Sequence, residues 1–177
     1  MMRMLEAGGL PALADGRRAA DQDNPHGYYE YEPVKRLGAD ASWVDQARGK
    51  ALKVISVLLR HLPAGHRYKV VFMQRDLREV LASQRAMLAR RGKPADPSGD
   101  ARMGELFDKH LAEAERTLAS RSDIDVLYIR YDAVLREPLR VAREVDRFLG
   151  GQLDVQRMAA AVESELYRQR GESGTSA

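Results

Sequence analysis

The sequence predicts an α/β domain in which a parallel sheet is flanked by helices on both faces, three layers in all. Three short apolar runs, residues 52–55, 70–73 and 126–129, are nearly continuous rather than alternating. That is the pattern of strands covered on both faces. Helix-period stripes lie between and after them, and strands alternating with helices call for a layered sheet with right-handed crossovers. At 177 residues the chain is long enough for one domain with a substantial core.

From the amino terminus, residues 1–7 have the character of a helix body, with Gly8 and Gly9 as its stop signal. The first apolar run, 52–55, is interrupted by Lys53; the second, 70–73, ends just before Arg75. A stripe of Leu77, Val80, Leu81, Met87 and Leu88 predicts the next helix. Residues 91–100 (RGKPADPSGD), rich in glycine and proline, predict a loop that covers a site. Met103, Leu106, Phe107, Leu111, Ala114 and Leu118 mark a second helical stripe. Leu139, Ala142, Val145, Phe148 and Leu149 mark a third, entered through Pro138. Val155, Met158, Ala159 and Val162 mark a fourth. Residues 1–170 are expected to form the domain and 171–177 a frayed tail.

Composition narrows the function classes. A hydrophobic share of 44% and a charged share of 31% are ordinary for a globular protein. The chain has no cysteine, so disulfides and thiolate-bound metals are excluded; this suits a reducing, cytoplasmic setting. No apolar stretch approaches the roughly twenty residues of a membrane span. The formal net charge of +3 favours anionic ligands. Nucleic acid is not an expected partner, because the basic residues lack aromatic interleaving.

The sharpest signal is YKVVFMQRDLREVLASQ, residues 68–84. An arginine at the carboxyl end of a buried strand, facing a helix start, is suited to hold a phosphate. Helix N–H groups and a forked, permanently charged guanidinium converge there. Arg75 occupies that place, and Ser83 lies eight residues later. The competing account is a helix-capping arginine and an incidental helical serine.

Several segments together resemble the sulfotransferases that use 3′-phosphoadenosine 5′-phosphosulfate, particularly bacterial members. Arg75 and Ser83 match that family's 3′-phosphate pair. VLYIRYDAVLREPLRVAREVDRFLG, residues 126–150, is similar to its second strand–turn–helix signature, and DNPHGYYEYEPV, residues 23–34, to its Asn-Pro-x-Gly-Tyr/Phe-x-Glu segment. The opening MMRMLEAGGLP is similar to the stretch just after the family's phosphosulfate loop. The resemblance spans nearly the whole chain in the right order. It implies a P-loop-NTPase-like sulfotransferase fold with the first strand and loop missing. It also implies sulfuryl transfer from that co-substrate to an acceptor hydroxyl or amine, on a small molecule or carbohydrate, with no metal. Because the loop resembling Pro-Arg-Ser-Gly-Thr-Ser would precede Met1, the chain as written is expected to be impaired, with a start codon placed downstream of the true one.

The resemblance favours Glu30 as the base that takes the acceptor's proton, against an ordinary surface glutamate. Lys53 is the candidate for stabilising a sulfuryl oxygen, against a strand-edge lysine; the animal Lys-Thr-His motif does not transfer, since KVIS has no histidine. The four histidines show no zinc-ligand spacing. Trp43 with Tyr28, Tyr29 and Tyr31 offers either an acceptor pocket or ordinary packing. Two rival functions remain at this point: a non-catalytic binding module of the same fold, and a nucleotide kinase of related layering, for which a Gly-x-x-x-x-Gly-Lys-Ser/Thr loop is absent.

Overall fold

The computed structural model describes residues 1–21, 27–76 and 97–162. Its centre is a parallel pair of strands, β1 (Tyr68–Gln74) and β2 (Ile124–Arg130), in register from Tyr68 opposite Ile124 to Gln74 opposite Arg130. Both contain the expected apolar runs and extend them by a few residues. Helices α1 (Met2–Ala7), α2 (Pro97–Ala119), α3 (Tyr131–Arg136), α4 (Pro138–Leu149) and α5 (Val155–Ala160) surround the pair. Short 3-10 turns span Glu32–Arg36, Val44–Ala47 and Ser56–His61. The chain is thus a mixed α/β structure with a two-stranded parallel sheet among the described residues.

The continuous apolar character of β1 and β2 has its cause in this packing. Alternate residues point to opposite faces, and both faces are covered. Phe72, Val70, Ile124 and Val126 pack against Leu111, Ala114 and Leu118 of α2 and Leu59 of the third 3-10 turn. Val71, Met73, Leu127 and Ile129 join the other cluster, with Met4 and Leu5 of α1, Val134 of α3, Val141, Ala142 and Val145 of α4, and Met158 of α5. A third small core, Val34, Leu37, Trp43 and Val44, organises the segment before β1.

Two expectations need correction. Residues 52–55 form no strand. Ala51 makes a single parallel bridge to Ala12, and the residues after it lie in no ladder. Leu52 and Val54 turn toward the third core while Lys53 and Ile55 face solvent, Ile55 at 59% exposure. The run is therefore half-buried extended chain, and its apolar residues are satisfied without strand partners. The predicted loop at 91–100 also ends early, because Pro97 begins α2; proline is well suited to a first helical turn, where its missing N–H costs no bond. Residues 91–96, the stripe at 77–88, Ser83 and the tail at 171–177 lie outside the described residues. Among the described residues, no helix is long and apolar enough to cross a membrane.

Helix ends follow recognisable chemistry. Pro138 stands at the start of α4, and Gly150 at φ 124° ends it. Asp154 caps α5, its carboxylate accepting from the N–H groups of Gln156 and Arg157 at 3.1 and 3.0 Å. Gly8 ends α1 for a packing reason. A Cβ there would lie 2.6 Å from Cγ of Met158, whose side chain is fully buried. Gly8→Ala is therefore expected to cost about 1–3 kcal/mol. Met158→Ala is expected to cost about 2–5 kcal/mol. Urea titration of the two single variants and the double variant should show Gly8→Ala costing less when Met158 is absent; strict additivity would contradict this contact.

Candidate functional site

The strands are parallel, so their carboxyl ends lie together, and a crevice at such ends is where open α/β sheets hold ligands. A cleft of about 490 Å³ opens there. The residues that leave β1 (Gln74, Arg75, Asp76) and β2 (Arg130, Tyr131, Asp132) line one side. Phe107, Leu111 and Glu115 of α2 line another. The register explains the pairing of side chains. With Gln74 opposite Arg130, the next residues, Arg75 and Tyr131, meet, and the Arg75 guanidinium lies 4.3 Å from the Tyr131 ring centroid. A cation over an aromatic face is attracted and also steered, since the ring limits where the planar group sits.

The second arginine of the cleft is held differently. Arg130 donates two parallel bonds to Asp132, Nε to Oδ1 and Nη2 to Oδ2, each at 2.9 Å. Arg136 of α3 also donates to Asp132. The bonds from Arg130, with the positive charge of Arg130 and Arg136, hold the Asp132 carboxyl below its ordinary range, against the opposing effect of burial. Arg75 has no carboxylate partner among the described residues and is exposed. It is the cation of this cleft with capacity for an anion. Ser83, its expected companion, lies outside the described residues.

The two candidate catalytic residues share one neighbourhood through a third and a fourth side chain. Arg18 Nη1 donates to Glu30 Oε1 at 2.9 Å, and the same guanidinium lies 3.4 Å from the Tyr28 ring centroid. Lys53 Nζ lies 5.9 Å from that ring. Tyr28 donates through its hydroxyl to Asp21 at 2.8 Å. Asp15 fixes this segment: it accepts from the N–H of Glu32 at 2.7 Å and of Arg17 at 3.1 Å. Those backbone bonds lower its pKa. Tyr29 donates to Glu6 at 2.5 Å, and burial, aided by that bond, pushes its hydroxyl up to about 12, so it stays protonated at neutral pH. Trp43 is packing rather than pocket lining. It is 6% exposed, its Nε1 donates to the Asp40 carbonyl at 3.0 Å, and Tyr31 meets it edge-on at 5.2 Å.

Sequence reasoning passed over Arg130, Tyr131 and Asp132 as cleft residues. The signal for them was present, since FMQRD and YIRYD end both strands in the same chemistry. Nor did it pair Ser56 with His110. Ser56 Oγ lies 2.7 Å from His110 Nε2, across 54 residues of sequence. His61, by contrast, accepts from its neighbour Arg60 at 3.1 Å, and His66 lies 3.8 Å from Asp45.

Comparison with protein-family models, with curated proteins and with solved structures finds no match to this chain.

Asp132→Asn tests the electrostatics of the cleft. A depressed carboxyl contributes stability that is fully present above the unfolded value, near 3.9, and is lost as pH falls through the lower folded value. The variant should therefore melt below the wild type at pH 7. The gap should narrow as pH falls below about 4 and close once pH has passed through the lowered folded value in thermal scans. A gap that stays constant with pH would remove Asp132 from the charge balance.

Proposed function

We propose that the chain is a sulfotransferase-type domain whose carboxyl-end cleft grips the 3′-phosphate of a phosphoadenosine co-substrate. Arg75 is the principal cation, and Ser83 is its proposed companion. The observation that carries this reading is the Arg75 guanidinium, aimed by Tyr131 at the mouth of a parallel strand pair and lacking a carboxylate partner among the described residues. A dianionic phosphate supplies the partner, and a forked guanidinium fits its oxygens. The same reading takes the two-stranded sheet as the core of a three-layer, P-loop-NTPase-like sulfotransferase fold.

Chemically, the acceptor oxygen or nitrogen attacks sulfur in line, and the bond from sulfur to the 5′-phosphate oxygen breaks, its electron pair staying on the phosphate. Lys53 offers charge to a sulfuryl oxygen. Glu30 is a carboxylate already held by Arg18, and Tyr28 lies between that pair and Lys53's reach. The acceptor is a small molecule or carbohydrate bearing a hydroxyl or amine.

Titration calorimetry with adenosine 3′,5′-bisphosphate tests the grip. A hydrogen bond to a charged group is worth about 1.5–3 kcal/mol, so Arg75→Ala should weaken binding roughly ten- to one-hundred-fold. Unchanged affinity in that variant, or no binding to the wild type, would overturn the assignment. Binding of ATP with magnesium in preference to the bisphosphate would favour a nucleotide kinase.

A further inference from the structure

Asp132 holds two guanidiniums where one would neutralise it. Arg130 donates to both carboxylate oxygens at 2.9 Å, and Arg136 donates to Oδ2 as well. The two arginines stand differently toward the cleft. Arg130 ends β2 and lines it, whereas Arg136, in the last turn of α3, is not one of the lining residues. The side chains of Arg130 and Arg136 are 71% and 70% exposed, so either can turn away without disturbing a core; that of Asp132 is only 27% exposed. Across the strand pair, Gln74 lies opposite Arg130, and Arg75 follows Gln74. Neighbouring strands are about 4.8 Å apart, so the two arginines of the cleft rise side by side. The α2 wall carries Glu115, whose charge repels an anion and leaves the strand ends as the anion-holding side.

We propose that Arg130 is an exchangeable second cation of the cleft. When a ligand bearing two phosphates enters, Arg75 takes one, Arg130 leaves Asp132 for the other, and Arg136 keeps Asp132 paired. The inference rests on the phosphoadenosine reading and names the residue that makes the cleft prefer a bisphosphate to a monophosphate. The exchange replaces one forked, charge-assisted pair by another. Removing the sole partner of a partly buried carboxylate is costly because the charge is left uncompensated. Here that state is avoided, since the Arg136 contact remains. The direction of the exchange follows from charge. A phosphate monoester carries about −1.5 to −2 at neutral pH, more than the single charge of a carboxylate.

Calorimetry with adenosine 3′,5′-bisphosphate and adenosine 3′-monophosphate tests the exchange. Wild type should bind the bisphosphate about tenfold or more tightly than the monophosphate, the scale of one hydrogen bond to a charged group. Arg130→Gln should bring the two affinities together by weakening the bisphosphate alone. Asp132→Asn loosens the hold on Arg130 and also removes a negative charge. It should therefore strengthen both nucleotides, but the bisphosphate more, widening the ratio. An arginine that serves only to brace the turn would leave the ratio unchanged in both variants, and that result would overturn the proposal. Equal affinity of the wild type for the two nucleotides would overturn it as well. If the variants do not fold, nitrogen-15-labelled arginine in the wild type decides. The Arg130 Nε–H signal should move on adding the bisphosphate and stay in place with the monophosphate; a signal indifferent to both would contradict the exchange. Arg75→Ala, which should weaken both nucleotides, reports on the grip itself. Failure of the Arg130 assignment is thus distinguishable from failure of the phosphoadenosine reading, which absence of any nucleotide binding to the wild type would overturn.

Discussion

Two parallel strands must end on the same side of the molecule, and the cleft depends on that constraint. Antiparallel pairing would place the ends of FMQRD and YIRYD at opposite edges. Parallel pairing in register sets Gln74 against Arg130, and the chain then leaves both strands at one level. Apart from Glu115 of α2, the polar residues of the cleft derive from this placement. Arg75 meets Tyr131, and Arg130 reaches forward two residues to Asp132. Like-charged guanidiniums brought close would repel. Here Asp132 takes up Arg130 together with Arg136, and Arg75 lies over an aromatic ring. Arg75 and Arg130 can thus line the same cleft.

Burial on both faces makes this arrangement rigid. A two-stranded sheet alone is marginal in water. It persists here because Val70 and Phe72 enter one cluster while Val71 and Met73 enter the other. The second cluster is the larger one and draws on four helices. Its centre, Val145, Ala142 and Met158, is completely buried. The segment before β1 is held by a different balance, with a small core around Trp43 and Leu37 and polar ties from Asp15. Its candidate residues, Glu30 and Lys53, are therefore positioned by surface pairings with Arg18 and Tyr28 rather than by deep packing. Exposed pairs of that kind contribute little to stability, so this part of the chain is held less firmly than the strand ends are.

How far the sequence could be read depended on the range of the interactions involved. Strands β1 and β2 were legible because continuous apolar runs report two-sided burial, and α4 was legible from Pro138 and its stripe. The run at 52–55 was misread because an apolar segment records burial but not strand pairing; Leu52 and Val54 are half-buried against a local core without a ladder. Pro97 was assigned to a loop on composition, although proline opens helices as readily as it interrupts them. Arg75 stood out through its local setting. Tyr131 and Asp132 acquire meaning only once the register is known, and the Ser56–His110 contact spans 54 residues that no local pattern connects.

Helix α2 is where these parts become one device. At about 100° per residue, Ala114 and Leu118 face the sheet and are buried against Phe72 and Ile124. Phe107, Leu111 and Glu115 lie one helical turn apart along the wall of the cleft. His110, about 60° around from Phe107, reaches Ser56. A single rigid helix thus carries the packing that anchors it, one wall of the cleft and the imidazole that contacts Ser56. Its length matters, because only a helix of several turns presents all three sets at once, and α2 runs from Pro97 to Ala119. A rotation of α2 large enough to break the His110 contact would also withdraw Leu111 from the cleft and Leu118 from the core. The fully buried Leu118 opposes that rotation, so the separation between the cleft wall and the His110 ring is set by core packing rather than by surface contacts.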